Sequence, residues 1–296
     1  MVTLIPGDIT VGGVRLHNHC MLAAGVLGTT GASLARMLKS GAGGVVTKSI
    51  GPEPKDGHKG PCVAVYDGAV MNAMGLPNPS HEFTGELDGL RGAPVIASIF
   101  GGTPEEFGEV ADWFAGKVQA LELNLSCPHA EGYGAAVGAD PDMVEQCTRM
   151  AKRSGLPVWV KLTPNVTDIT EIGLAAERGG ADAIVAVNTV KAMRISTDFR
   201  RPVLGNGMGG LSGPAIFPVA VRCVWELYET CEIPIIGCGG VSSADNVVEM
   251  MMAGASAVEI GSAVIEDAEI FRQITESLYR RDGGECPEDI VGCAHA

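Results

Sequence analysis

IPIIGCGGVSSADNVVEMMMAGASAVEIGS, which occupies residues 233–262, places a helical segment between two short apolar runs. The runs at 233–237 and 257–261 have the near-continuous hydrophobicity of parallel strands that are buried on both faces. Between them, Ser242 or Ser243 can cap a helix that stops near Gly254. This stretch therefore predicts a strand–helix–strand unit, the repeating element of a parallel α/β sheet.

Six similar apolar runs precede it, and capped helical segments lie between most of them. The capping box at Thr103–Glu106 opens one helix, which we expect to extend toward Val118. Further helices are predicted to start at Asp140, Asp168, Ser212 and Asp267. The six runs are residues 20–25 (CMLAAG), 44–48 (GVVTK), 95–100 (VIASIF), 121–126 (LELNLS), 158–162 (VWVKL) and 183–188 (AIVAVN).

Eight strands that alternate with helices predict one (β/α)8 TIM barrel, an α/β fold, as a single domain over residues 1–296. The length suits this fold, which typically needs about 250 residues. An open doubly wound sheet is the alternative, and the absence of GxGxxG after the first strand disfavours it. Insertions are expected after strands 2, 4 and 6, at residues 49–92, 129–140 and 189–211, and loops of this length usually bind ligands.

The composition excludes several classes of function. The formal net charge of −14 disfavours nucleic acid as a partner, because an acidic surface repels phosphate backbones. No apolar run reaches a membrane-spanning length, and the start of the chain lacks the pattern of a signal peptide, so we expect a cytoplasmic protein. The nine cysteines form no CxxC motif, which argues against disulfides. Cys286, Cys293 and His295 lack the ligand number and spacing of a metal site.

Polar residues at the carboxyl ends of barrel strands face the active site in this fold. Two lysines in such positions are costly unless an anion balances them, so Lys48 and Lys161 indicate an anionic ligand or a delocalised negative charge. The other polar residues at these strand ends are Ser98, Asn124, Ser126, Cys127 and Asn188.

The loops after strands seven and eight are the usual phosphate site of such barrels. Gly239 and Gly240 allow the backbone to approach a ligand closely, and Ser262 after Gly261 supplies a hydroxyl. Gly213, before the helix that follows strand six, can complete this site. The pattern predicts a phosphorylated cofactor or substrate.

Cys127 directly follows a strand and precedes Pro128, whereas a structural cysteine more often lies within a strand. A free thiol has a pKa near 8.5, which suits proton abstraction at mildly basic pH. His129 is close in sequence, but that spacing does not establish contact, so a covalent Cys–His mechanism is not indicated.

Six motifs together resemble the class 1 dihydroorotate dehydrogenases, in the family's order and over nearly the whole chain. This resemblance implies a barrel that binds FMN and oxidises dihydroorotate to orotate in de novo synthesis of the pyrimidine UMP. It also implies that Cys127 removes the C5 proton while hydride passes from C6 to the flavin N5. The motifs are NAMGLPN (72–78), NLSCP (124–128), VKLTPNVTDI (160–169), GGLSGPAI (209–216), IIGCGGV (235–241) and MAGASAVEIGSA (252–263).

The resemblance also assigns binding residues. Two positions depart from the family pattern, since Ala24 stands where Ser is usual and Ser98 where Asn is usual. The substrate-binding residues it implies are Lys48, Asn72, Ala73, Met74, Gly75, Leu76, Asn124, Asn188 and Thr189. The FMN-binding residues it implies are Ala24, Gly25, Lys48, Ser49, Ser98, Asn124, Lys161, Val187, Gly213, Gly239, Gly240, Gly261 and Ser262.

Residues 188–204 (NTVKAMRISTDFRRPVL) and 163–169 (TPNVTDI) resemble the NAD-linked subclass, class 1B. Its catalytic subunit pairs with a partner that carries FAD and a 2Fe–2S cluster. The chain itself shows no four-cysteine cluster signature. The resemblance therefore implies a homodimer core joined by an electron-transfer subunit, in an α2β2 assembly.

Three alternatives remain open. The first is the fumarate-linked class 1A enzyme, which differs in both of these segments. The second is another flavin enzyme of reduced pyrimidines, either a dihydropyrimidine dehydrogenase, which needs no carboxylate site, or an RNA-modifying dihydrouridine synthase, which the net charge disfavours. The third is a flavin-binding barrel without enzymatic activity.

Overall fold

The computed structural model describes residues 8–66, 68–126, 137–281 and 290–296. Sixteen strands and eight α-helices are assigned in these ranges. The first half contains β1 (Ile9–Val11), β2 (Val14–Leu16), β3 (Cys20–Leu22), α1 (Gly31–Lys39), β4 (Gly44–Val46), β5 (Val63–Tyr66), β6 (Ala69–Asn72), β7 (Val95–Ile99), α2 (Pro104–Trp113), β8 (Ala120–Asn124) and α3 (Pro141–Ala151). The second half contains β9 (Val158–Leu162), α4 (Ile169–Arg178), β10 (Ala183–Ala186), β11 (Val190–Met193), β12 (Ile195–Ser196), β13 (Arg201–Pro202), β14 (Met208–Ser212), α5 (Phe217–Thr230), β15 (Ile235–Cys238), α6 (Ala244–Met252), β16 (Ala255–Ile260), α7 (Ala263–Glu266) and α8 (Ile270–Arg281).

Eight parallel strands form a closed barrel in the order β3–β4–β7–β8–β9–β10–β15–β16. The last strand pairs with the first, with Val258 opposite Cys20. Each of the eight apolar runs in the sequence contributes one of these strands, so the predicted (β/α)8 barrel is confirmed. No helix in the described part of the chain is long and apolar enough to cross a membrane.

Most of the predicted helix starts are confirmed by side-chain caps. The side chains of Thr103, Asp140, Asp168 and Ser243 each accept a hydrogen bond from a backbone N–H in the first turn of α2, α3, α4 or α6. The start predicted at Ser212 is displaced, because a 3₁₀ turn at Pro214–Ile216 precedes α5. Two other bounds also differ, since α2 ends at Trp113 rather than near Val118 and α8 begins three residues after Asp267.

Side chains alternate between the two faces of the barrel wall. One set points outward and packs under the helices in the larger hydrophobic core. The other set fills the interior, where Trp159 is completely buried. The antiparallel β1–β2 hairpin closes the amino-terminal end of the barrel, and the Trp159 indole donates a hydrogen bond to the carbonyl of Gly12 at 3.0 Å. The interior is therefore filled with packed side chains toward the amino-terminal end of the barrel. Among the described residues, the opening lies at the carboxyl end of the strands.

Two of the predicted insertions join each other above the open end. The insertion at 49–92 supplies β5 and β6, and the insertion at 189–211 supplies β11 and β14. They form one antiparallel sheet in the order β11–β14–β6–β5, in which Asn72 lies opposite Gly210. We call these four strands the roof sheet. Of the third insertion, 129–140, residues 129–136 lie outside the described ranges.

Replacement of Gly12 by alanine tests the closure of the barrel floor. Gly12 has a φ of +51°, and a Cβ there would lie 2.8 Å from the Cβ of Ala183 and collide with the Trp159 indole. Gly116 also has a positive φ, of +74°, but nothing lies within 4 Å of the position that its Cβ would take. We expect Gly116→Ala to cost roughly 1–2 kcal/mol of unfolding free energy from backbone strain alone. Gly12→Ala adds overpacking and should cost about 2–5 kcal/mol in total.

Urea unfolding of both variants measures this difference. Equal losses for Gly12→Ala and Gly116→Ala would show that the hairpin does not pack tightly against Trp159.

Candidate active site

A cavity of about 1380 Å³ lies between the carboxyl ends of the barrel strands and the roof sheet. Glu122, Lys161 and Cys238 contribute to its floor. The segment from Asn72 to Leu76 covers it from above, together with Met208 and the glycines that follow it. The cavity therefore draws on strand ends and on both insertions of the roof sheet.

The structure brings most of the site residues predicted from the sequence to this cavity. All predicted substrate-binding residues line it, namely Lys48, Asn72, Ala73, Met74, Gly75, Leu76, Asn124, Asn188 and Thr189. The predicted cofactor-binding residues that line it, besides Lys48 and Asn124, are Ala24, Gly25, Ser49, Lys161, Val187, Gly239, Gly240, Gly261 and Ser262. Cys127, the predicted catalytic residue, lies outside the described residues.

Ser98 and Gly213 lie one layer behind the cavity wall. The hydroxyl of Ser98 is completely buried and is 2.9 Å from the hydroxyl of Ser49, which does line the cavity. The carbonyl of Gly213 is 2.8 Å from the position that a Cβ on Gly240 would take. Ser98 and Gly213 therefore lie behind Ser49 and Gly240. It is Ser49 and Gly240 that line this part of the cavity.

A chain of hydrogen bonds fixes the two asparagines at the centre of the site. Asn124 Nδ2 donates to Ser49 Oγ at 3.1 Å, and Asn124 Oδ1 accepts from Asn188 Nδ2 at 3.2 Å. The Oδ1 of Asn188 in turn accepts from the backbone N–H of Thr189 at 2.8 Å. Each Nδ2 carries two hydrogens, so each amide keeps one donor for a ligand in the cavity. The arrangement suits carbonyl oxygens on a polar, planar ligand.

Two further asparagines hold the cavity walls, and the sequence alone did not indicate them. Asn78 Nδ2 donates to the carbonyl of Leu76 at 3.0 Å, while its Oδ1 accepts from the N–H of Ser80 at 2.9 Å. Asn165 Nδ2 donates to the carbonyl of Thr189 at 3.0 Å, and its Oδ1 accepts from the N–H of Lys191. Asparagine next to proline in a loop is the signal that was available, because its side chain commonly bonds to nearby backbone.

Lys48 lines the cavity, and the described residues provide no carboxylate to balance its charge. No Asp or Glu side chain in the described ranges lies within 4 Å of its ammonium group. Burial lowers the pKa of Lys48, because removing the ammonium group from water disfavours its charged form. An anion bound in the cavity would restore the missing partner.

Lys161 forms a buried cluster with two glutamates at the cavity floor. Its Nζ lies 2.5 Å from Glu259 Oε2 and 3.5 Å from Glu122 Oε2. The side chains of both glutamates have no exposed surface, and that of Lys161 is 6% exposed. The sequence carried a signal for this cluster, since Glu122 and Glu259 occupy inward-facing positions, two residues from Ala120 and Ala257, in otherwise apolar strands.

The ionisation of this cluster differs from that of exposed groups. Burial raises the pKa of Glu122 well above its usual range, and the negative charge of Glu259 raises it further. Burial opposes the charge of Lys161, but Cys238, Glu122 and Glu259 outweigh it and raise the pKa of Lys161. Since burial also raises the pKa of the Cys238 thiol to about 12, that thiol is neutral near pH 7. The two carboxyl groups are therefore what keeps Lys161 charged.

One corner of the cavity is formed by backbone without side chains. A Cβ on Gly25 would meet nothing within 4 Å, and a Cβ on Gly261 would meet only the Cβ of Ala23, at 3.5 Å. Gly239, Gly240 and the Ser262 hydroxyl line the same cavity. The missing side chains of Gly25 and Gly261 leave space that a bound group can fill, which fits the predicted FMN. At Gly239 and Gly240 a Cβ would instead lie 2.9 Å from the Cβ of Ala220 and 2.8 Å from that of Phe217, so these two glycines offer only their backbone.

Replacement of Lys161 by methionine tests the electrostatics of the floor. The variant leaves Glu122 and Glu259 buried without a cation, so we expect a loss of about 3–5 kcal/mol of unfolding free energy near pH 7. Lys152→Met is the matched control, because Lys152 pairs with Asp182 at 2.6 Å where both side chains are about one-third exposed. That change should cost about 1 kcal/mol or less.

The loss in Lys161→Met should also depend on pH. The folded variant must keep protons on its buried carboxyl groups that the unfolded chain releases above about pH 4.3. Its stability therefore falls as pH rises from 5 to 8, and denaturant unfolding at both pH values measures this. A loss equal to that of Lys152→Met, or one independent of pH, would contradict the arrangement.

Comparisons with known proteins agree with the family that the sequence motifs indicate. A sequence model of the family described as "Dihydroorotate dehydrogenase" matches residues 8–281. Proteins from Methanosarcina acetivorans and Methanocella arvoryzae are 57% and 56% identical, and each alignment covers 96% of this chain. A protein from Pyrococcus horikoshii is 47% identical over 97% of it. The alignments cover 94%, 96% and 97% of those three proteins, and all three are named dihydroorotate dehydrogenase B (NAD(+)), catalytic subunit.

A solved structure gives independent support for the fold. The crystal structure of DHODH in complex with ferulenol from Eimeria tenella superposes with a TM-score of 0.82, over 97% of this chain and 88% of that one. At 19% identity this likeness concerns the fold alone. The sequence matches, which extend over nearly the full length, show that the chain belongs to the dihydroorotate dehydrogenase family.

Proposed function

We propose that the chain is the FMN-dependent catalytic subunit of a dihydroorotate dehydrogenase that oxidises dihydroorotate to orotate in the synthesis of UMP. Family membership supports the reaction class. The observation that carries the substrate assignment is Lys48, a partly buried cation in the cavity with no carboxylate partner among the described residues. A substrate carboxylate is the anion that the family's reaction would place there.

The rest of the substrate fits the polar side of the cavity. The free amide hydrogens of Asn124 and Asn188 would donate to the carbonyl groups of the pyrimidine ring. Asn72 and Thr189 would bind its edge, and the backbone of residues 73–76 would join Lys48 at the carboxylate. The hydrogen-bond chain through Ser49 holds these amides in place before the substrate arrives, which lowers the entropy cost of the reaction.

FMN, when bound, supplies the hydride acceptor. The side-chain-free corner would hold its phosphate and ribityl chain, through Gly239, Gly240, Gly261 and Ser262. Lys161 would stabilise negative charge at the flavin ring from the cavity floor. Ala24, Gly25, Ser49 and Val187 line the remaining part of this side, with Ser98 and Gly213 behind it.

Proton removal is assigned to Cys127. The residue follows Ser126 in sequence, and Ser126 lines the cavity two residues beyond the end of β8. A cysteine with a pKa near 8.5 is partly ionised at mildly basic pH, and its thiolate can accept the C5 proton of dihydroorotate, becoming a thiol, as hydride leaves C6.

Substitution of Cys127 tests the proposal. Cys127→Ala should bind FMN as wild type does and lose about 10²–10⁴-fold in the rate of flavin reduction by dihydroorotate, because the positioned base is gone. Cys127→Ser should keep part of the rate with an optimum at higher pH, since a hydroxyl releases its proton less readily than a thiol. Stopped-flow absorbance of the flavin measures both rates. Reduction at the wild-type rate in both variants would refute the assignment of the base.

The electrons are proposed to reach NAD through a partner subunit that carries FAD and a 2Fe–2S cluster. The relatives' names include NAD(+) and the words catalytic subunit, which supports a separate partner for this chain. We propose an α2β2 assembly with a homodimer of this chain at its core.

The absorbance spectrum of the native complex tests this partner. When the native complex is purified by capturing this chain, it should contain two kinds of polypeptide in equal number. Its spectrum should show the absorption of FMN, FAD and an iron–sulfur cluster. The chain purified alone should contain only FMN and reduce fumarate slowly. Rapid fumarate reduction by the chain alone would contradict the NAD-linked assignment.

A further inference from the structure

The buried cluster at the cavity floor contains more acid than base. Glu122 belongs to β8 and Glu259 to β16, which lie on opposite sides of the barrel, four strands apart in either direction. Lys161 on β9 reaches between them, 2.5 Å from Glu259 Oε2 and 3.5 Å from Glu122 Oε2. One ammonium group faces two carboxyl groups in a space almost closed to water.

Three carboxyl oxygens in this cluster have no hydrogen-bond partner among the described residues. They are both oxygens of Glu122 and Oε1 of Glu259, and each is buried. A buried acceptor without a donor destabilises the fold, and it does so more strongly when it is charged. A proton on one carboxyl group would supply a missing donor and remove a charge at once.

The other groups around the cluster cannot supply that neutralisation. Among the described residues, Cys238 on β15 is the remaining titratable group whose own pKa responds to all three side chains, and its thiol is neutral near pH 7. The interior layer beneath the cluster is apolar and includes Trp159. Lys48, in the cavity above, has no carboxylate within 4 Å among the described residues. The cluster must therefore balance its own charge.

We propose that Glu122 and Glu259 share one proton near pH 7, so that with Lys161 they form an electrically neutral triad that positions the Lys161 ammonium group beneath the cavity. Ionising both carboxyl groups in one buried site is unfavourable in free energy, so one of them keeps its proton. Burial and the charge of Glu259 raise the pKa of Glu122, in agreement with this geometry.

The triad has a distinctive response to mutation. When either glutamate is replaced by glutamine, the remaining carboxyl group pairs with Lys161, ionises and leaves the site neutral. When both are replaced, burial acts on Lys161 with no carboxylate to oppose it, so Lys161 gives up its proton and the positive charge at the cavity floor is lost. The ammonium charge of Lys161 thus survives one substitution and is lost only with the second.

Infrared spectroscopy tests the shared proton without any ligand. Wild-type protein at pH 7 should show the C=O stretch of a protonated carboxyl group in a dry environment, although an ordinary glutamate with a pKa near 4.3 is ionised there. The band should vanish in Glu122→Gln and in Glu259→Gln. Glu226→Gln is the control, since Glu226 pairs with Arg222 on the surface, and it should keep the band.

Two infrared outcomes would overturn the proposal. One is the absence of the band from wild-type protein at pH 7, a measurement that needs no variant to fold. The other is the survival of the band in both single variants.

The midpoint potential of bound FMN tests the effect on the cavity, and this second test rests on the proposed function. Both single variants should keep a potential close to wild type, whereas Glu122→Gln/Glu259→Gln should shift it to more negative values, because Lys161 then loses its charge. A positive charge stabilises electrons added nearby, and burial strengthens that effect, so its loss disfavours reduction of the flavin. A purely structural role predicts no shift in the double variant, and a shift in either single variant as large as that of the double would refute the triad.

The two tests separate this proposal from the function on which the second depends. A protein that binds no FMN would contradict the proposed function, and the infrared result would still decide whether the proton is shared. A bound flavin with normal reduction, in a protein that lacks the infrared band, would leave the function intact and refute the triad.

Discussion

The pairing of β16 with β3 is the interaction on which the rest of the structure depends. Val258 lies opposite Cys20 across this junction, and the sheet closes on itself there. Closure gathers eight strand ends at one rim and forces alternate side chains into a common interior. Lys48, Asn124, Lys161 and Asn188 face one cavity for this reason alone, although up to 140 residues separate them in sequence.

Closure also explains why the interior is divided into layers. The β1–β2 hairpin and Trp159 fill the amino-terminal end with apolar groups. The next inward-facing positions carry Glu122, Lys161 and Glu259, and only above them does the cavity open. The polar layer separates a core that packs from a site that can bind a ligand.

Much of the fold could be predicted because its signals are local. The eight apolar runs, and caps such as Thr103 and Asp168, are each encoded within a few residues. The roof sheet could not be predicted, since the register of β6 with β14 joins loops far apart in sequence. The depth of a residue behind the wall is equally non-local, so the sequence could not indicate that Ser98 and Gly213, which are predicted to bind FMN, lie behind the residues that line the cavity. The inward-facing position of Glu122 could be predicted from the alternation in β8. Its place in a cluster with Glu259 could not, because Glu259 lies on the opposite side of the barrel.

The roof sheet has a consequence for how this site can change over evolution. Asn72 lies opposite Gly210 in the ladder, and a Cβ on Gly209 would meet the carbonyl carbon of Asn72 at 3.0 Å. The segment from Asn72 to Leu76, which would contact the substrate, is thus attached through the roof sheet to an insertion that follows a different barrel strand. A length change in either loop shifts the register of the other. New specificity in this scaffold therefore requires paired changes in two loops that a sequence alignment would treat as independent.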